Sequence, residues 1–248
     1  MIATPMSQDT RSVAAQPHTE RALAPPILAA NGLRKRFGQT EALRGIDFAI
    51  AAGKVVAVMG PSGSGKSTLL HCLAGILTPD EGGVIFDGQA VEHLGEAARS
   101  RLRRTRFGFV FQFGQLIPEL PEIENVALPL LLNGMGRSQA EAVSSSWFPR
   151  LGLGGLEHRR PGELSGGQAQ RVAVARAMVT EPAVVFADEP TGSLDSLASE
   201  HVMELLTASA SAQGTSIILV THEPRVAAYA HREVVVRDGR ISSGGDLA

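Results

Sequence analysis

The chain has 248 residues, 44% hydrophobic and 19% charged, enough to bury the core of one large domain or of a domain with subdomains. A formal net charge of −2 supplies no overall positive field that would draw it onto nucleic acid or an anionic surface. Cys72 is the only cysteine, so an intrachain disulfide is excluded and the residue reads as a small buried hydrophobe in a reducing compartment.

Residues 1–26 are rich in Ala, Pro, Thr, Gln and Ser and lack both a basic start and an apolar run, which predicts a disordered arm and no signal peptide. Within residues 27–50, residues 43–50 partly alternate, and residues 84–88 end in an Asp87-Gly88 turn, the pattern of an antiparallel patch. Val55–Met59 is an apolar run leading into glycines, and residues 108–111, 183–187 and 216–220 are similar. These predict buried parallel strands with polar groups at their C-terminal ends, where active groups of open α/β sheets gather. Residues 114–160 carry prolines, glycines and a helical patch at 138–147, and predict an inserted helical subdomain. A second Asp-Gly turn, Asp238-Gly239, follows residues 233–237. No apolar stretch approaches the roughly 18 residues of a membrane span; the best, residues 126–132, contains Pro129. If the chain works at a membrane, another chain must supply the spanning part. No internal repeat is visible.

Gly60-Pro61-Ser62-Gly63-Ser64-Gly65-Lys66-Ser67-Thr68 matches the phosphate-binding loop pattern behind an apolar strand. Its glycines let backbone N–H groups curl around phosphate oxygens, and the helix from about Lys66 points its positive end at them. Lys66 supplies a point charge for the terminal phosphates and Ser67 a hydroxyl for Mg²⁺. Residues 183–187 deliver Asp188 and Glu189 to the same edge. Asp188 can hold Mg²⁺, commonly through water, and Glu189 can accept the proton of an attacking water.

With these two motifs the chain resembles the ATP-binding cassette ATPases, the nucleotide-binding subunits of ABC transporters. The likeness runs from residue 27 to 239, and its most specific mark is Leu164-Ser165-Gly166-Gly167-Gln168 followed by a helical run. Ser165 can cap that helix, and the glycines admit a phosphate. The resemblance implies that Ser165, Gly166, Gly167 and Gln168 contact ATP held by an opposite subunit, so that two copies sandwich two nucleotides head to tail. It further implies that Gln112 reaches Mg²⁺ and the water, that Asp195 in Ser193-Leu194-Asp195 belongs to a loop crossing the dimer interface, and that His222 lies near the γ-phosphate. Phe37 stands where the family stacks an aromatic on adenine; core packing is the alternative.

The fold implied is an α/β P-loop core with a parallel sheet, an antiparallel β subdomain and an inserted α-helical subdomain, spanning 27–248 after the arm 1–26. ATP and Mg²⁺ are the expected cofactors. A second nucleotide-binding subunit and a membrane permease are the expected partners, with the chain at the cytoplasmic face of the membrane and no nucleic acid. Val110-Phe111-Gln112, residues 124–129 and Thr191-Gly192 are similar to the lipoprotein-releasing and macrolide-exporting branch, whose permease docks beside the Gln112 loop; residues 113–120 would line that groove. The proline in Leu120-Pro121-Glu122-Ile123 departs from that pattern. A soluble ATPase of the translation or repair kind, or a regulator of a membrane complex, remain as alternatives. The arginines at 99, 101, 103, 104 and 106 lack interleaved aromatics and read as a solvated helix face.

Overall fold

The computed structural model describes residues 25–244. The arm expected over 1–26 lies almost wholly outside the described residues.

β1 (Leu28–Phe37) and β2 (Thr40–Ile50) form an antiparallel hairpin, and β1 also pairs antiparallel with β4 (Glu81–Phe86), which carries the short β5 (Gln89–Ala90). These make one four-stranded sheet. The second sheet has six strands. Its centre is β3 (Val55–Met59), flanked by β8 (Ser216–Val220) and then β7 (Val184–Asp188) and β6 (Phe107–Phe111), all parallel. On the other side β9 (Arg232–Arg237) runs parallel to β3, and β10 (Arg240–Gly244) closes the sheet antiparallel to β9.

The apolar runs of β3, β7 and β8 suit strands covered on both faces. Alternation divides their side chains between two cores. Val184, Phe186, Ile218 and Val220 pack with Val56 and Val58 against α1 (Lys66–Leu73) and the antiparallel sheet. Val185, Ala187, Ile217 and Leu219 pack with Val55 against helices on the opposite face. Edge-on contacts of Phe107 with Phe86 and Phe186 tie the two sheets together around the first core.

Between β5 and β6 lies α2 (Glu96–Arg106), which has no buried residue. Arg99 and Arg103 bond Glu96, and Arg104 bonds Asn133, so much of its charge is spent locally. After β6 come α3 (Glu122–Leu132), α4 (Arg137–Ser145) and α5 (Trp147–Leu151). The helical patch expected at 138–147 is thus split: α4 ends at Ser145 and α5 begins at Trp147, turning Trp147 and Phe148 into the core. A short 3-10 turn (Pro161–Glu163) precedes α6 (Gly166–Met178), which packs on α3, α5 and β6. α7 (Ser196–Gln213) links β7 to β8, and α8 (Pro224–Ala227) links β8 to β9. Among the described residues no helix is long and apolar enough to cross a membrane.

Candidate functional site

The C-terminal ends of β3, β6, β7 and β8 meet at one mouth. A cavity of about 640 Å³ there is lined by Pro61, Ser62, Gly63, Gly65, Lys66, Ser67, Thr68, Gln112, Asp188, Glu189 and His222, with Ala42 and Val220. Five sequence segments separated by up to 180 residues are thereby brought together. Gly60 and Ser64 of the same loop are not among the lining residues.

Two glycines of the loop are required by close approach. Gly60 has φ 142°, and a Cβ there would overlap the carbonyl oxygen of Val236. Gly65 has φ 107°, and a Cβ would lie 2.6 Å from the Ala42 oxygen. The loop is therefore wedged between β9 and β2. Gly239 N–H donates to the Ser64 carbonyl at 2.9 Å and closes the wedge. Lys66, buried, donates to the carbonyls of Gly60 and Pro61 at 2.7 and 2.9 Å. Its ammonium thus spans the loop from inside.

At the end of β7, burial raises the Asp188 carboxyl above the ordinary range, while the Ser67 hydroxyl reaching toward it pulls the other way. Glu189 follows in the left-handed region with φ 48°, a conformation costing a non-glycine residue about 1–3 kcal/mol. Its N–H donates to the Val220 carbonyl at 2.9 Å, which helps hold it there. One Glu189 oxygen is 2.9 Å from His222 Nδ1, and the other is buried without a partner. The Glu189 carboxylate raises the His222 pKa, first by this hydrogen bond and then by its charge. The carboxylate and the imidazole thus form a coupled pair facing the loop. Ser67, Gln112 and Asp188 are oxygen donors on one cavity wall, a set suited to a hard cation such as Mg²⁺.

The residues 165–168 lie elsewhere. Ser165, Gly166, Gly167 and Gln168 line a separate cavity of about 230 Å³ with Arg171, Ser193, Leu194, Asp195, Ala198 and His201. Ser165 and Gln168 form a reciprocal cap on α6: the Ser165 hydroxyl accepts from Gln168 N–H, and the Gln168 amide oxygen accepts from Ser165 N–H at 2.8 Å. Asp195 caps α7 by accepting from Ala198 N–H at 2.9 Å. The Gln168 and Asp195 side chains are therefore engaged within the chain. The Phe37 ring is half exposed, outside both cores and both cavities, with the Lys35 ammonium 5.9 Å from its centre.

Gln170 was not legible as a site residue. It is buried, and its amide donates to the carbonyls of Phe111 and Pro190 at 2.8 and 2.6 Å. It clamps the strand end before Gln112 to the turn after Glu189. The available signal was a polar residue sharing an i, i+3, i+4, i+7 stripe with Ala173, Val174 and Ala177. Ser193 reinforces the clamp, its hydroxyl donating to the Gln112 carbonyl at 3.0 Å.

A phosphate loop, an acidic strand end and a histidine at one edge of a parallel sheet define a P-loop ATPase. Residues 43–192 match the family model described as ABC transporter. A post-hydrolysis dimer of the ATP-binding cassette MJ0796, bound to ADP and Pi, is similar at 34% identity over 89% of this chain and 99% of that one, with a TM-score of 0.81. The dimeric structure of MJ0796, a bacterial ABC transporter cassette, is similar at 34% identity over the same shares, with a TM-score of 0.82. CbiO1 from Clostridium perfringens, part of the ABC transporter complex cbiONQ, is 30% identical over 90% of this chain and 89% of that one, at a TM-score of 0.81. The chain belongs to the ABC transporter family and is an ATP-binding, ATP-hydrolysing cassette.

Proposed function

We propose that this chain is the ATP-hydrolysing subunit of an ABC transporter, working as a head-to-tail dimer that powers a separate membrane permease. The observation that carries this reading is the division of the site. The cavity around Lys66 and Glu189 shares no lining residue with the cavity around Ser165 and Gly166. A nucleotide in the first is left without contacts from the α6 N-terminus unless a second copy supplies them. The MJ0796 structures are dimeric, and the same arrangement would complete both sites here.

In this arrangement Lys66 and the backbone N–H groups of residues 62–68 hold the phosphates. Ser67, Gln112 and Asp188 would hold Mg²⁺, which supplies charge neutralisation at the terminal phosphates. Glu189 orients the attacking water and takes its proton. His222 shares that proton through the 2.9 Å contact and faces the γ-phosphate. Phe37 offers its exposed face to the base. ATP favours the closed dimer through its contacts with both copies, and hydrolysis removes them.

The permease would dock in a groove of about 630 Å³ between α2, β6 and α3, lined by Ile76, Phe109, Leu128, Leu132, Arg104 and Gln115. Phe113, between the lining residues Phe111 and Gln115 in sequence, is exposed. Together with Thr191-Gly192 and Val110-Phe111-Gln112, this supports the lipoprotein-releasing and macrolide-exporting branch, with lipid, peptide or antibiotic cargo. On this reading residues 27–248 form the cassette, with 114–160 as its inserted helical part, at the cytoplasmic face of the membrane.

The test is Glu189→Gln. ATP binding is retained while hydrolysis slows by at least ~100-fold, the lower end for lost acid–base catalysis. The variant accumulates an ATP-bound dimer on size exclusion, and mixing it with Gly166→Asp chains changes activity per subunit with the mixing ratio. Ratio-independent activity rejects the shared site.

A further inference from the structure

The two cavities share no lining residue, yet one helix serves both. Gly166 and Gly167, at the start of α6, line the second cavity. Gln170 follows on the same helix, roughly one turn beyond Gly166. Its side chain is buried and serves the first cavity instead. The amide nitrogen donates to the Phe111 carbonyl at 2.8 Å and to the Pro190 carbonyl at 2.6 Å. Phe111 immediately precedes Gln112, and Pro190 immediately follows Glu189. Each bond therefore falls one residue from a side chain that lines the first cavity.

A primary amide suits this place. It carries two N–H donors on one nitrogen without a charge, and two carbonyls accept from it here. A hydroxyl would offer one donor, and a buried ammonium would cost desolvation. The helix is a firm base, since Val172, Val174 and Ala175 are fully buried in the core that Val110 of β6 and Val126 of α3 also enter. The segment after Phe111 leans on α6 as well. A Cβ on Gly114 would lie 3.3 Å from the Gln170 amide oxygen, and Arg176 donates to the Gly114 and Gln115 carbonyls at 2.5 and 2.7 Å. The turn after Glu189 meets Gln112 directly. Ser193 hydroxyl donates to the Gln112 carbonyl at 3.0 Å, and a Cβ on Gly192 would lie 2.9 Å from Gln112 Nε2. Gln170 ties both of these touching segments to α6.

We propose that Gln170 is a positioning residue for ATP hydrolysis: by holding the Phe111 and Pro190 carbonyls on α6, it sets Gln112 and Glu189 in register with each other. It acts through those two residues. The Phe111 carbonyl also accepts from Gly114 N–H at 3.0 Å, so the strand end keeps a partner when the amide is removed, while its spacing from the Pro190 turn relaxes. The phosphate loop does not depend on this clamp. It is braced by Val236, Ala42 and Gly239, and Lys66 is held by Gly60 and Pro61. Loss of the clamp therefore spares ATP binding and falls on the chemical step. The inference rests on the proposed roles of Gln112 and Glu189.

The experiment is steady-state ATP hydrolysis by the full chain in two variants. Gln170→Met keeps the length and removes both donors. Gln170→Glu keeps the shape and, once ionised, sets acceptors against two carbonyls. ATP bound per chain is measured first, and either variant that retains the wild-type stoichiometry carries the comparison. In that variant kcat and kcat/KM fall together by at least ~10-fold with KM unchanged, the cost of a small misplacement of reacting groups. The second readout is a double-mutant cycle. In the Glu189→Gln background the same Gln170 change lowers the residual turnover by less than ~3-fold, because a group it positions is already disabled. A merely structural residue would lower turnover by the same factor in both backgrounds. Unchanged turnover, a loss carried by KM, equal losses in both backgrounds, or lost ATP stoichiometry in both variants overturns the proposal. Normal turnover in the Gln170 variants beside a slowed Glu189→Gln protein sinks this inference and leaves the proposed function standing; normal turnover in Glu189→Gln removes both.

Discussion

Replacing Glu122 by Gln should stabilise the fold at neutral and alkaline pH and leave it nearly unchanged in mild acid. The side chain is wholly buried with both oxygens unpaired, and its carboxyl is raised from 4.5 to about 7. Between those values the folded chain holds a proton that the unfolded chain has released. Stability therefore falls as pH rises through the window, and the full penalty is present above pH 7. At 1.36 kcal/mol for each pH unit, the separation of the two values sets a ceiling of about 3 kcal/mol. Water entry and side-chain adjustment bring this to about 1–3 kcal/mol. Gln is close to isosteric and carries no charge, so it removes the ionisation penalty while keeping the shape. For a chain of this length the gain corresponds to roughly 2–10 °C in Tm. Calorimetry of both proteins at pH 4.5 and pH 8 measures it. The expected result is a Tm difference that is small at pH 4.5 and favours Gln at pH 8. An equal difference at both values, or a less stable Gln variant at pH 8, refutes the reasoning.

Gly60→Ala should cost nucleotide binding more than it costs the fold. The added Cβ would overlap the Val236 carbonyl, so the loop must move away from β9 and its amides lose their arrangement. A filter assay should show ATP affinity reduced by at least ~10-fold, equal to about 1.4 kcal/mol; unchanged affinity would mean that the wedge does not shape the loop. The Glu189–His222 pair sets a pH prediction. The carboxylate raises the His222 pKa, so the imidazolium persists above the ordinary 6.5 and the ion-pair contribution is lost as pH rises through the raised value. In Glu189→Gln the His222 titration, followed by NMR of its ring protons, should move back toward 6.5. Identical midpoints in the two proteins would break the assigned coupling.

Much of the fold was written in local patterns. Buried parallel strands need apolar runs on both faces, and residues 55–59, 184–187 and 217–220 carry them without interruption. The phosphate loop, the acidic pair and the 164–168 run were equally legible, because glycine, lysine and carboxylate at fixed spacing answer to one chemistry. What the spacing could not show is which segments share a cavity. Ser165 and Lys66 belong to one kind of pocket chemically, yet the tertiary structure sets them in separate cavities of the same chain.

Gln170 and Glu122 mark the limit more sharply. Each reads in sequence as an ordinary polar helix residue. Only the packing of α6 against β6 makes Gln170 a clamp between Phe111 and Pro190, and only the packing around the start of α3 makes Glu122 a fully buried carboxyl with neither oxygen partnered. The sequence by itself determined the elements and the chemical groups, since these depend on near neighbours and periodicity. Burial, unpaired oxygens and shared cavities depend on residues far apart in the chain, and the tertiary structure alone decided them.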